Sequence, residues 1–169
     1  MQIDVRESPE LRAVVIALRA VEKNVSADIR KQTRQVLQPE WQKTAREHSQ
    51  TRLEVRVLGD TARASVSSNG ITLKSASLGK QLRGGFVTKQ MYAAVEFGAD
   101  RNKRVTYRAR SSKGKTFNVT RRTAAQLRPR RRSGYVIYPA AAEFIPRAAA
   151  MWTQVTVRVI AEAAEGRGR

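Results

Sequence analysis

The sequence predicts an α+β fold: a long N-terminal helix, an antiparallel β-sheet with a projecting basic β-hairpin, and a long C-terminal helix packed on the sheet. Three observations predict it. Apolar residues recur at helical spacing near both ends, short alternating segments flank turn dipeptides between them, and one strongly cationic window interrupts the strands. The length of 169 residues fits one domain, 1–169, with a basic hairpin insertion over 99–133 and a frayed tail over 166–169. A chain of this size buries a core without a metal or disulfide.

Ser8-Pro9-Glu10 reads as a helix start, with Ser8 as N-cap and Pro9 in the first turn. Leu11, Val14, Val15, Leu18, Val21 and Val25 follow at helical spacing, and Ile29, Val36 and Leu37 extend the stripe. The helix is expected from about Pro9 to Leu37, with Pro39 kinking or ending it and Glu40–Glu47 adding a further helical stretch. Leu53–Leu58 alternates apolar and charged residues, the pattern of a half-buried strand, with a helical tail left open. Thr61–Val66 and Ile71–Ser75 flank Asn69-Gly70, which is expected to supply the positive φ angles of a tight hairpin. Leu78–Gly85 reads as a loop, and its Gly84-Gly85 pair is not followed by a phosphate-loop lysine.

Met91–Phe97 is expected to be a strand ended by Gly98. Val105–Tyr107 and Phe117–Val119 surround Ser111-Ser112-Lys113-Gly114, the layout of a projecting β-hairpin. Tyr135–Tyr138 reads as a short strand stopped by Pro139, and Ala140–Phe144 as a turn of helix. Pro146 is then expected to open the second long helix, with Ala149, Trp152, Val155, Val159 and Ala163 along one face.

The net charge is +19. A charge of that size needs a polyanion or acidic neighbours, and counterion release makes nucleic acid the natural partner. Absence of cysteine excludes disulfides, thiolate metal sites and a cysteine nucleophile. The chain lacks an apolar run long enough to span a membrane, a signal-peptide core and an amphipathic anchor with bulky apolar residues, so a cytoplasmic product without membrane partner is expected.

Catalytic candidates are sparse, and no enzyme activity, cofactor or metal is expected. His48, the only histidine, would have to be the base of any Ser-His-Asp arrangement, but it reads as a solvated residue after a helix. The carboxylates form no cluster with lysine. A Mg²⁺ nuclease would have to draw on Glu96 or Asp100, and Glu96 reads instead as a structural or inter-subunit ion-pair residue. Trp41 and Trp152 read as core or interface anchors rather than base-stacking platforms. The charge signal lies in Arg101, Lys103, Arg104, Arg108, Arg110, Lys113, Lys115, Arg121, Arg122, Arg128, Arg130, Arg131 and Arg132, opposed within the window only by Asp100. Interleaved Tyr107, Phe117, Val119 and Tyr135 give this run a means of folding. Arginine dominates it, and the guanidinium fork suits phosphate oxygens or the carboxylates of an acidic partner. No base-reading helix is visible, so contact with nucleic acid is expected to be independent of sequence.

Tyr92-Ala93-Ala94-Val95-Glu96-Phe97-Gly98 resembles the Tyr-x-x-x-Glu-Phe-Gly strand end of a siphophage neck, tail-completion and minor tail protein family. Phe144-Ile145-Pro146-Arg147 resembles the same family's apolar-Pro-Arg opening of the last helix. A variable insertion lies between the two in the family, and the basic hairpin occupies that place here. The family's Thr-Gly-x-Leu segment after the first helix is not evident. The resemblance implies motif or interface roles for Tyr92, Glu96, Phe97, Gly98, Pro146 and Arg147. It further implies a virion structural protein, made in the bacterial host cytoplasm and assembled into a homo-oligomeric, typically hexameric ring at the head–tail junction. Its neighbours would be connector and tail-tube or terminator proteins, and double-stranded DNA would pass through its channel. The competing readings are a tail terminator or head-side adaptor ring, and a free, sequence-independent nucleic-acid-binding protein.

Overall fold

The computed structural model describes residues 1–4, 23–79, 81–82, 86–122 and 126–165. Strand β1 (Gln2–Asp4) is followed by helix α1 (Lys23–Glu47) and a short α2 (Arg52–Glu54) that runs into a wider turn over Val55–Gly59. Strands β2 (Arg63–Ser67), β3 (Gly70–Lys74), β4 (Gln81–Leu82) and β5 (Phe86–Val87) lead to α3 (Thr88–Phe97). The hairpin β6 (Arg104–Arg110) and β7 (Thr116–Arg122) precedes the long α4 (Ile137–Ala164). The class is α+β as expected, with long helices near both ends and antiparallel strands between. The strands divide into a three-stranded sheet, β1-β3-β2, and the separate pairs β4-β5 and β6-β7.

Helix α1 is the central element, packing on β2 and on α4. Ile29, Leu37, Trp41 and Ala45 of α1 meet Phe144, Ala148, Trp152, Val155 and Val159 of α4 in one core that also takes Ala64, Ile71 and Leu73 from the sheet. Both tryptophans are fully buried, and the Trp41 and Phe144 rings lie 5.5 Å apart. The helices run antiparallel, as cross-links along their rims show: Arg158 to Gln32 at 2.6 Å, Arg147 to Glu40 at 3.2 Å, and His48 Nε2 to Glu143 at 3.4 Å. His48 is therefore a tie between helices rather than a merely solvated residue. The sheet's edge is secured from α1, where the Gln38 amide donates to Ala62 O and accepts from Ala64 N–H.

The expected start of the first helix at Ser8-Pro9 lies outside the described residues. Its continuation differs from expectation, because α1 passes through Pro39 without ending. An interior proline costs about 3 kcal/mol, while burying side chains such as Leu37 returns about 1.5–3 kcal/mol each, so packing on both sides outweighs the lost hydrogen bond. The same holds at Pro146, an exposed residue inside α4 rather than its start. Helix α4 opens earlier, at Ile137, and Pro139 falls in the first turn, where an N–H would have no intrahelical partner anyway. Tyr135–Tyr138 thus forms no strand.

Leu53–Leu58 is helical, not extended. Thr51 and Glu54 form a reciprocal capping box, Glu54 N–H to Thr51 Oγ1 at 3.2 Å and Thr51 N–H to Glu54 Oε2 at 3.0 Å, which fixes a helix start there. Met91–Phe97 is likewise helical: Thr88, Val95 and Glu96 are buried and Tyr92 packs on the core, a set one helical face presents and a strand face does not. The β2–β3 hairpin is present, but Asn69 does not take positive φ. Gly70 does, at 151°, and Asn69 N–H donates to Ser67 Oγ at 3.3 Å.

Candidate nucleic-acid interface

The basic segment has two parts, a clamp at its base and a hairpin beyond it. The clamp is built on Glu96, fully buried near the C-terminal end of α3. Its carboxylate accepts from the N–H groups of Ile137 at 2.9 Å, Tyr138 at 3.1 Å and Val136 at 3.3 Å. These are orphan donors of the α4 N-terminus, and Val136 at the N-cap offers no side-chain cap of its own. A carboxylate distant in sequence therefore caps α4 and faces the positive end of its dipole. Among the described residues Glu96 forms no structural ion pair of the kind expected of it, and both of its oxygens are taken by backbone N–H groups.

Two glycines permit this approach. Gly134 has φ +71°, and a Cβ there would overlap the Glu96 carboxylate. Gly98 also has φ +71°, and a Cβ there would overlap the carbonyl oxygens of Pro129 and Arg128. Backbone bonds bind the two segments further: Ala99 N–H to Arg128 O at 3.0 Å, Arg131 N–H to Phe97 O at 2.8 Å, and Tyr135 N–H to Glu96 O at 2.9 Å. Phe97 and Tyr138 stack obliquely at 5.5 Å.

A second buried carboxylate completes the clamp. Glu54 Oε2 accepts from Gln50 and Thr51 N–H, and Oε1 pairs with Arg128 Nε at 2.9 Å. Arg128 also donates to Gln50 Oε1 at 2.6 Å and lies over the Tyr135 ring, 4.6 Å from its centroid. Arg131 donates to Ser133 Oγ at 2.8 Å and approaches the same ring. Arg128, one of the predicted contact set, is thus engaged inside the chain, while Arg131 is exposed.

Beyond the clamp, β6 and β7 pair in register from Arg104↔Arg122 to Arg110↔Thr116. Ser111–Lys115 closes the turn, with Ser111 N–H to Lys115 O at 2.9 Å and Gly114 at φ +84°. No residue of either strand is buried. Pleating divides the side chains between two faces. One face is polar: Arg104, Arg108, Arg110 and Arg122 alternate with Thr106, Thr116, Asn118 and Thr120, and the Thr106 and Thr120 hydroxyls bond at 2.9 Å. The other face is apolar: Val105, Tyr107, Ala109, Phe117 and Val119, with Arg121 held 5.8 Å from the Tyr107 ring centroid.

The remaining predicted cations sit around these parts. Lys113 and Lys115 are at the tip, and Arg101 lies in the turn after α3 near Glu54 and Arg128. Lys103, Arg130 and Arg132 rim a shallow hollow of about 540 Å³ floored by Ala93, Ala94 and Phe97, with Asp100 also at its edge. Of the motif residues, Tyr92, Glu96, Phe97 and Gly98 belong to the clamp or the core beside it, while Pro146 is exposed on α4 and Arg147 pairs with Glu40. Sequence reasoning missed Glu54 and Gly134. The Thr51-x-x-Glu54 spacing was a sufficient signal for the first, whereas nothing local marks the second.

Among the described residues no helix is long and apolar enough to cross a membrane, and no three His, Asp or Glu side chains gather to hold a metal ion. No protein-family model, curated protein or solved structure matches this chain.

Proposed function

We propose that this chain is a structural subunit of the bacteriophage head–tail junction, part of a neck or tail-completion ring through which double-stranded DNA passes. The observation that carries the reading is the hairpin, whose arginines Arg104, Arg108, Arg110 and Arg122 share one polar face with no acidic residue among them. Such a face suits the regularly spaced phosphates of a duplex. The backbone bonds between Ala99 and Arg128 and between Arg131 and Phe97 tie the roots of the hairpin arm to the helical body at one place. One predicted contact, Arg128, is committed to the clamp through its ion pair with buried Glu54, so the DNA-facing set is smaller than the basic window. A limited set fits a channel that must release DNA during ejection.

The test is electron microscopy of a lysate from a phage lacking this gene. Filled heads and separate tails, joined into infectious particles when the protein is added, are the expected result. Normal infectious particles without it would overturn the reading. In that case the alternative, a free sequence-independent nucleic-acid-binding protein, would be left to explain the arginine face.

A further inference from the structure

We infer that the hollow at the root of the hairpin arm is a docking site for an acidic peptide segment of a partner protein, one that carries an apolar side chain among its carboxylates. The hollow, about 540 Å³, falls in the size range of small-ligand sites. Its floor is apolar, made by Ala93, Ala94 and Phe97 of α3 and by Ala99, and its rim carries Lys103, Arg130, Arg131 and Arg132. A second hollow of about 640 Å³ continues past Ala99 and Arg130 to Arg101, Asn102 and Pro129, so the depression is longer than one side chain needs. Among the described residues that line the two, Asp100 is the one carboxylate against five cations.

The site is formed before any partner arrives. Arg131 N–H donates to Phe97 O at 2.8 Å and Ala99 N–H to Arg128 O at 3.0 Å, so rim and floor are fastened to each other. Gly98, at φ +71°, leaves room for that approach, since a Cβ there would overlap Pro129 O. Phe97 is held further by the Tyr138 ring, 5.5 Å away. A preformed site loses little binding energy to ordering.

Chemistry selects the occupant. Guanidinium forks around an apolar floor match a ligand whose carboxylates surround an apolar group: the carboxylates pair with the rim, and the apolar side chain covers Phe97 and the alanines. A duplex presents phosphates on a convex surface, which reach the rim and leave the floor in water. A single strand stacks successive bases on successive rings, and Phe97 is the one ring on this floor. A second copy of the chain, at +19, brings like charge to the rim. The site lies beside the arm rather than on it, so Arg104, Arg108 and Arg122 stay available to DNA while a peptide is seated. It uses neither ring nor channel and does not rest on the junction reading.

Fluorescence polarisation with the full-length protein at physiological salt tests it, comparing fluorescein-labelled Asp-Glu-Phe-Glu-Asp with the same peptide carrying Ser in place of Phe. The Phe peptide should bind at least about tenfold tighter, the effect of covering one large apolar side chain. Ala93→Glu, at an exposed helix position that tolerates glutamate, should remove that preference and weaken the Phe peptide at least about tenfold. Arg130→Ser/Arg132→Ser should weaken both peptides by about tenfold or more. Arg104→Ser/Arg108→Ser, on the arm, should bind both like the wild type. Equal affinity for the two peptides overturns the inference, and so does equal loss from arm and hollow variants. A labelled oligothymidylate weakened by Ala93→Glu as much as the peptide makes the floor a base platform and overturns it too. The lysate experiment reads the junction separately: normal gene-less particles remove that role and leave the peptide site standing, while a failed peptide preference leaves the junction reading untouched.

Discussion

At its base the basic segment holds two buried carboxylates, Glu54 and Glu96, with both oxygens of each partnered, while along its arm not one side chain of β6 or β7 is buried. The two regions adjoin in sequence and share a strongly cationic composition. What separates them is where their acids and glycines sit. The base draws on carboxylates from α2 and α3 to neutralise Arg128 and to cap α4, and the arm has no acid to draw on. Arginine count alone therefore says little about availability: Arg128 belongs to the fold, and Arg108 to whatever lies outside it.

The largest blow to this contrast is Glu96→Ala, which leaves three N–H groups of the α4 start in a dry site. We expect a loss of about 3–5 kcal/mol in chemical denaturation, and only partial recovery in Glu96→Gln, whose amide hydrogens face donors. Gly134→Ala should cost about 2–3 kcal/mol by combining a strained φ with displacement of the Glu96 carboxylate, read by the same method. Arg128→Ala should cost about 1–2 kcal/mol, because Glu54 keeps its backbone donors while losing its cation. The contrast is sharpened by the joint change of Arg104, Arg108, Arg110 and Arg122 to Ala. Thermal stability should stay within about 0.5 kcal/mol of wild type, while the salt slope of duplex DNA binding flattens by about 3–4. Smallest is Thr156→Val in α4, where a buried hydroxyl has no partner among the described residues: a gain of about 1 kcal/mol is expected.

The β2–β3 and β6–β7 hairpins were legible in the sequence because turn residues punctuate them, at Asn69-Gly70 and at Ser111–Gly114, whereas strand β4 falls in the Leu78–Gly85 stretch read as a loop. The long helices were legible as stripes, though not their passage through Pro39 and Pro146, which tertiary packing decides. Met91, Ala93, Val95 and Phe97 alternate as a strand would, yet Thr88, Tyr92, Val95 and Glu96 are the residues facing inward. The false period arose because alanines at 93 and 94 fit either pattern, and because Glu96 was read as an ion-pair residue rather than as a helix cap. Its burial depends on donors forty residues later, and no local window contains them. The forty residues between Glu96 and Ile137 also hid the site's plan, since the clamp closes only when the chain returns from the arm.

The arm leaves the body just after Gly98 and comes back just before Arg128, and those two points are bonded to each other. Any pull on the arm's far end therefore meets both its roots at once. The backbone links between Phe97–Ala99 and Arg128–Arg131 resist together, and behind them stands the Glu96 seat of α4. Under tension such a joint shares load in parallel instead of unzipping bond by bond. The arm can bend where it is bare, but its footing gives way only when the start of a whole helix is torn from its carboxylate.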